Sequence, residues 1–223
     1  IFGVTVMVAL TNYSTMVKTA VEEKADIIFS GAGLPLSLPE VAGEDTETKL
    51  VPIVSSGRAA KILSKKWLNK YGRQPDGFVV EGPKAGGHLG FKAEQLDDEK
   101  YSLEVLVPQV VEAVKPFEDK TGTAIPVVAA GGVYSGDDIG HFLGLGASGV
   151  QMGTRFVCTH ECDAADEFKQ AYIDATKEDL AIIKSPVGMP GRALRNIFIK
   201  DVEKGKRQPL SCPFHCIHTC DVD

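Results

Sequence analysis

Six short runs of apolar residues alternate with segments of helical period, and this rhythm narrows the fold more than any other feature. The runs are 3–10 (GVTVMVAL), 25–29, 49–54, 76–80, 125–130 and 149–152. Each is apolar throughout rather than alternating, as expected for strands buried on both faces. Between them lie segments with apolar residues at helical spacing. Met16, Val17, Ala20 and Val21 follow a cap expected at Thr11-Asn12. Ser55-Ser56-Gly57 leads into a helix reaching Tyr71. Further helices are expected over 103–117, 137–145 and 164–175. Strand, short turn, helix, repeated, is the pattern of a parallel sheet covered by helices. Six units do not close an eight-stranded barrel, and an open doubly wound sheet would carry its main glycine loop after its first strand. Here the small residues stand at every strand end and the glycine pair comes late. The reading is an α/β fold, a parallel (β/α)8 TIM barrel whose first two β/α units are missing from this sequence.

The two late strands are each followed at once by glycine: Gly131-Gly132 after 125–130, and Gly153 after 149–152. Glycine turns at neighbouring strand ends expose backbone N–H groups, and helix N-termini add positive potential there. In a β/α barrel the ends of the last two strands are a usual phosphate site. A phosphate grip is therefore expected at Gly131, Gly132 and the run Gln151-Met152-Gly153-Thr154. The plainer alternative is that these glycines only permit tight strand-to-helix turns.

A second stretch, FVVEGPKAGGHLG over 78–90, follows a strand at the end where barrel active sites gather. His88 sits among Gly86, Gly87 and Gly90. Such a loop brings backbone close to a flat ring and projects an imidazole beside it. Histidine suits proton transfer to or from carbon. The alternative is a solvated loop histidine.

Composition limits the rest. The chain has 223 residues, 43% hydrophobic and 24% charged, with net charge −6 and no basic run. One domain over 1–199, followed by a basic linker and a Cys-rich tail over 200–223, fits that length. Nucleic acid and anionic membrane are poor partners for such a charge. No apolar run reaches the ~18–20 residues of a membrane span. Five cysteines, three of them in the tail as Cys212, Cys216 and Cys220, do not form a secreted disulfide framework, so a reducing, cytoplasmic setting is expected. Cys158 and Cys162 are expected to be packed. The tail's cysteines interleave with His215 and His218 without the CxxC pairs of structural zinc sites, so no metal site is expected. The chain opens Ile1-Phe2-Gly3 with a core strand already begun, so its true N-terminus, and any targeting segment, is expected to lie outside it.

Taken together, AGGHLG after a strand ending in EG, then PVVAAGG, then GVQMGTRF, resemble the nitronate monooxygenase (2-nitropropane dioxygenase) family. The resemblance runs from Gly3 to about Asn196. It implies an FMN-dependent β/α barrel, in a group that also holds the FMN-dependent enoyl-acyl-carrier-protein reductase II. It implies that His88 is the catalytic base, that Gly86 packs on the flavin, and that Gly132 and Gln151 to Thr154 bind FMN around its phosphate. Thr5 and Glu81 fall beside the flavin. The family commonly has asparagine at the first of these positions and glutamine at the second. Glutamate at Glu81 resembles the enoyl reductase branch. The implied substrates are a nitronate or nitroalkane with O2, or NAD(P)H with an enoyl thioester. A homodimer is compatible with the family. Two other classes stay open: a flavin-free phosphate-binding isomerase or synthase barrel, and a binding module that keeps only the scaffold. In the loop 185–196, Arg192 is a candidate to reach an anionic substrate or phosphate, with Asn196 nearby. Ser55 and Ser56 are candidates to face the site.

Overall fold

The computed structural model describes residues 1–43, 45–184, 189–207 and 216–218. The chain runs β1 (Gly3–Met7), α1 (Tyr13–Glu22), β2 (Ile27–Gly31), α2 (Leu38–Ala42), β3 (Lys49–Val54), α3 (Gly57–Tyr71), β4 (Phe78–Glu81) and β5 (Gly87–His88). It continues with α4 (Leu103–Thr121), β6 (Val127–Ala130), α5 (Gly136–Gly144), β7 (Gly149–Gln151), α6 (Thr154–Val157) and α7 (Asp166–Asp174). A hairpin of β8 (Leu180–Lys184) and β9 (Pro190–Leu194) follows, and then α8 (Ile197–Glu203).

Six strands pair in parallel in the order β1-β2-β3-β4-β6-β7, and the sheet curls into a half-barrel. The apolar runs belong to a two-faced sheet. Successive side chains alternate sides. Val6, Ile28, Leu50, Val54, Val80 and Ala129 join the core under the helices. Phe29, Val51, Ile53, Val79, Val128 and Ala130 pack together on the concave face. Both faces are apolar because both are covered or curled inward.

The helical layer is anchored by α3 and α4. Ser56 caps α3 by accepting from the Ala59 N–H at 3.2 Å, and Gly72 ends it in the left-handed region. The two helices meet so closely at Gly57 that a Cβ there would stand 2.7 Å from the Gln109 carbonyl oxygen, which only glycine avoids. Trp67 is fully buried, and its Nε1–H donates to the Pro35 carbonyl at 3.1 Å. The start of β4 is tied to β3 by Asp76, which accepts from the Leu50 N–H at 2.9 Å and faces Arg73 at 2.7 Å and Lys49 at 3.2 Å. Burial opposes ionisation of this carboxyl. The Leu50 N–H and the two cations outweigh it and hold Asp76 below the usual carboxylate range.

Several expectations change in the fold. The run 3–10 leaves the ladder after Met7, because the Leu10 N–H turns back to the Met7 carbonyl. Leu10 then bridges Ile217, and the His218 N–H donates to the Ala9 carbonyl, so tail residues lie against this turn. Residues 84–102 contain β5 and two short 3-10 turns. Within the loop expected over 185–196, residues 190–194 form β9 and pair with β8, and the expected linker from residue 200 begins inside α8. Asn12 occupies the cap position of α1 but its side chain makes no capping bond.

Burial is uneven. No residue of α6, α7 or α8 is buried, and Phe156, Phe168, Ile173 and Phe198 are exposed. Cys158 is exposed and Cys162 half-buried, so the packing expected of the first is not found. Cys212, His215 and Cys220 lie outside the described residues. Among the described residues, no cluster of three metal-ligating side chains occurs. No helix among them is long and apolar enough to cross a membrane.

Candidate active site

The end of β4 builds the better-formed half of the site. Alternation sends Phe78 and Val80 toward the helices and Val79 toward the concave face, so Glu81 ends the strand on that concave side, in register with Ala130. Gly82 then passes under the start of α4, where a Cβ would stand 2.9 Å from that of Leu103. The chain turns through Pro83 to Gly86, with the Ala85 N–H donating to the Gly82 carbonyl at 3.1 Å, and enters β5 at Gly87, whose φ is +70°. The strand β5 pairs with β9, Gly87 opposite Arg192 and His88 opposite Gly191. The Leu89 N–H extends the pairing to the Pro190 carbonyl at 2.8 Å, and the buried Leu89 anchors the loop.

A cavity of about 490 Å³ opens here, walled by Glu81, His88, Ser55, Gly33, Phe91 and Met189 among others. Burial pushes the Glu81 carboxyl up to about 7, and no cation stands within ion-pair distance of it among the described residues. Ser55 Oγ–H donates to the Gly90 carbonyl at 3.2 Å, fixing the far end of the loop. Its neighbour Ser56 is spent as the cap of α3. Ala32, also in the wall, holds a left-handed φ of 52° without being glycine.

The other half is looser. Gly131 and Gly132 both have φ of +93°. A Cβ on Gly131 would stand 3.0 Å from the Ala85 N and the Gly82 O, and one on Gly132 would stand 3.0 Å from Lys84 Cβ. The turn after β6 therefore packs on the loop after β4. It opens on a separate cleft of about 330 Å³, shared with Lys84, Ser102, Asp97, Asp138 and His141. Gln151 pairs with Ala130 but is exposed, as are Gly153 and Thr154, while Met152 is half-buried. Thr5 pairs with Phe29 and is exposed near the sheet edge, outside the cavity wall. The structure thus brings His88 and Glu81 into one cavity. It does not bring Thr5, or the run from Gln151 to Thr154, to that cavity.

Arg192 is not aimed at an anion. Its Nη1 donates to the Pro83 carbonyl at 2.6 Å and the Ala85 carbonyl at 2.8 Å. Asn196 caps α8, accepting from the Ile199 N–H at 3.0 Å. Lys84 was missed by sequence reasoning. Its stem covers Gly132, and its place inside EGPKAGGH was the available signal.

The residues present fit a flat, phosphate-bearing cofactor such as FMN in two respects. At Gly86 and Gly87 an added Cβ would meet nothing within 4 Å, leaving room for a ring against the loop. At the neighbouring turns after β6 and β7, the N–H groups of Gly132, Gly153 and Thr154 have no protein acceptor among the described residues, and Lys84 adds a cation beside the first.

Known proteins resemble this chain in sequence and in fold. The profile of the nitronate monooxygenase family matches residues 2–221. A (3aS,4S,5R,7aS)-5-hydroxy-7a-methyl-1-oxo-octahydro-1H-indene-4-carboxyl-CoA dehydrogenase of Mycobacterium tuberculosis is 36% identical over 132 residues, 59% of this chain and 33% of that protein. A probable nitronate monooxygenase of Staphylococcus aureus is 34% identical over 130 residues, 58% of this chain and 34% of that protein. The solved structure of FabK from Thermotoga maritima superposes with a TM-score of 0.72 at 29% identity, covering 92% of this chain and 58% of that one. The chain spans only part of the length of each relative.

Proposed function

Because this chain belongs to the nitronate monooxygenase family, we propose that it is an FMN-dependent oxidoreductase that oxidises alkyl nitronates and nitroalkanes with O2. The observation that carries the reading is the single cavity holding His88 and Glu81 beside the open glycines of the loop after β4. We also take the six parallel strands as part of an eight-stranded barrel, supported by the partial coverage of FabK.

In this reading Gly86 and Gly87 would take the flat ring of FMN, and Gly131, Gly132, Gln151, Met152, Gly153 and Thr154, with Lys84, would hold its phosphate, with Thr5 at the far edge. FMN when bound supplies the redox chemistry, accepting electrons from substrate and passing them to oxygen. The protein supplies position and proton handling. A neutral nitroalkane must first lose the proton from the carbon bearing the nitro group. His88 takes that proton: the C–H bond breaks, its electron pair moves into the nitro group, and the nitronate anion remains. Burial pushes the Glu81 carboxyl up to about 7, so near neutrality about half of it is protonated and it repels an anionic nitronate less than an ordinary, fully ionised carboxylate would.

The test is direct. His88→Ala is expected to lose turnover of neutral nitroalkane while keeping turnover of preformed nitronate. Equal loss on both, or on neither, would remove His88 from the role of base.

A second reading is oxidoreduction of an acyl thioester with NAD(P)H. Glu81 as a glutamate and the CoA-thioester dehydrogenase named among the relatives favour it. NADH consumption with an enoyl thioester, set against oxygen uptake with nitronate, separates the two. A flavin-free barrel enzyme is the remaining alternative, and a purified protein that never acquires flavin absorbance would favour it.

A further inference from the structure

We propose that Arg192 is a positioning residue that fixes the histidine loop through the β8–β9 hairpin. The inference rests on the proposed role of His88 only for its catalytic consequence.

The loop between Glu81 and His88 is poorly equipped to hold its own shape. Pro83 has no N–H to donate, and Gly86-Gly87 lose more conformational freedom on ordering than any other pair would. Only one turn bond, from the Ala85 N–H to the Gly82 carbonyl, lies within it among the described residues. The restraint comes from outside. The strand β9 pairs with β5 at Gly87 and His88. From its place opposite Gly87, the side chain of Arg192 reaches across and puts two donor contacts from Nη1 on the carbonyls of Pro83 and Ala85. Both oxygens accept from one nitrogen in the loop's present shape, so the guanidinium favours that shape.

The electrostatics agree. Arg192 is partly buried, has no carboxylate within ion-pair distance among the described residues, and burial draws its guanidinium below the usual value, with Asp97 opposing from a distance. A half-buried cation compensated by two carbonyls is a costly arrangement to leave unmade, since hydrogen bonds to charged groups are stronger than neutral ones. Lysine offers a point charge in place of a planar fork, so it is a weak substitute. The hairpin itself is long enough to carry the load: β8 and β9 pair over five residues, from Leu180 with Leu194 to Lys184 with Pro190. At Gly191 β9 lies against the loop, a Cβ there standing at ordinary contact distance, 3.6 Å, from the Gly87 carbonyl oxygen.

The experiment compares Arg192→Met, which keeps the stem, and Arg192→Lys with wild type in the full chain. Amide hydrogen exchange is followed at residues 84–90, with residues 57–71 as internal reference and a thermal melt to check folding. Arg192→Met is expected to exchange at least about 10-fold faster at 84–90 with the reference unchanged, and Arg192→Lys to fall between. In turnover, kcat is expected to fall about 10- to 100-fold with KM altered less than about twofold, since misplacing a catalytic group costs rate. Unchanged loop exchange in Arg192→Met would overturn the proposal. So would a uniform rise including the reference helix, which would mean a general loss of stability. If the wild type turns over neither nitronate nor thioester, the functional reading falls, while the exchange comparison still decides the role of Arg192.

Discussion

The strand end carrying His88 and the strand ends carrying Gly132 and Gly153 are made from the same device, a short apolar strand running straight into glycine. They are built to different standards. The loop after β4 is buried at Leu89, paired to β9, and held by Arg192 and Ser55. The turn after β7 is exposed, and the helices behind it bury nothing. The difference follows from position in the sheet. β4 lies in the middle, with β3 and β6 on either side, while β7 pairs with β6 alone among the described residues. A local signal for a glycine turn therefore says what the backbone can do there, and the neighbouring strands decide whether it becomes a fixed site.

The largest effects expected fall on the well-built half. His88→Ala should reduce turnover of neutral nitroalkane about 100- to 10,000-fold, the usual range for a positioned base, measured as oxygen uptake. A matched pair then probes the packing contrast. Trp67→Ala, on the buried face of α3, should cost about 3–5 kcal/mol in a denaturant melt. Phe168→Ala on α7, half exposed, should change stability by no more than about 0.5 kcal/mol. A large cost at Phe168 would break the comparison, because it would mean that α7 packs in solution.

Much of this was legible in the sequence, for reasons particular residues show. The six strands announce themselves because both faces of each are apolar, as Leu50 and Val51 or Val79 and Val80 illustrate from opposite sides of the sheet. The proximity of Glu81 and His88 was legible because a strand end and the loop that follows it are local. The hairpin was not. Its strands bury only Ala181 and Gly191, so they carry no apolar period, and their pairing depends on residues far away. Arg192 looked like an anion ligand for the same reason: its partners Pro83 and Ala85 lie more than 100 residues earlier, at separations of 109 and 107. The distance between the glycine turns and the His88 cavity was equally hidden, since a run such as Gln151 to Thr154 has no means of specifying what stands across the sheet from it.

A subtler test sharpens the electrostatic side. Glu81 has a folded-state value of about 7 against an ordinary 4.5, so the folded protein binds more protons than the unfolded chain between those values. Stability should therefore fall as pH rises through that window and level off above it. Glu81→Gln should flatten this dependence, seen as melting temperatures at about pH 5 and about pH 8 drawing closer together. A pH dependence identical to wild type would mean that the carboxyl is solvated. A small effect is also expected at Ala32. Relief of its left-handed backbone by glycine is offset by glycine's greater freedom when unfolded, so Ala32→Gly should alter the melt by less than about 1 kcal/mol.

The central claim is that this cavity serves a flavin enzyme whose base is His88. The most direct measurement is the absorbance of the FMN-loaded protein mixed anaerobically with neutral nitroalkane or with nitronate. The account predicts that wild type bleaches with both substrates, and that His88→Ala bleaches with nitronate but not with nitroalkane. A protein that takes up no FMN, or a His88→Ala variant that bleaches with nitroalkane as fast as wild type, would contradict it.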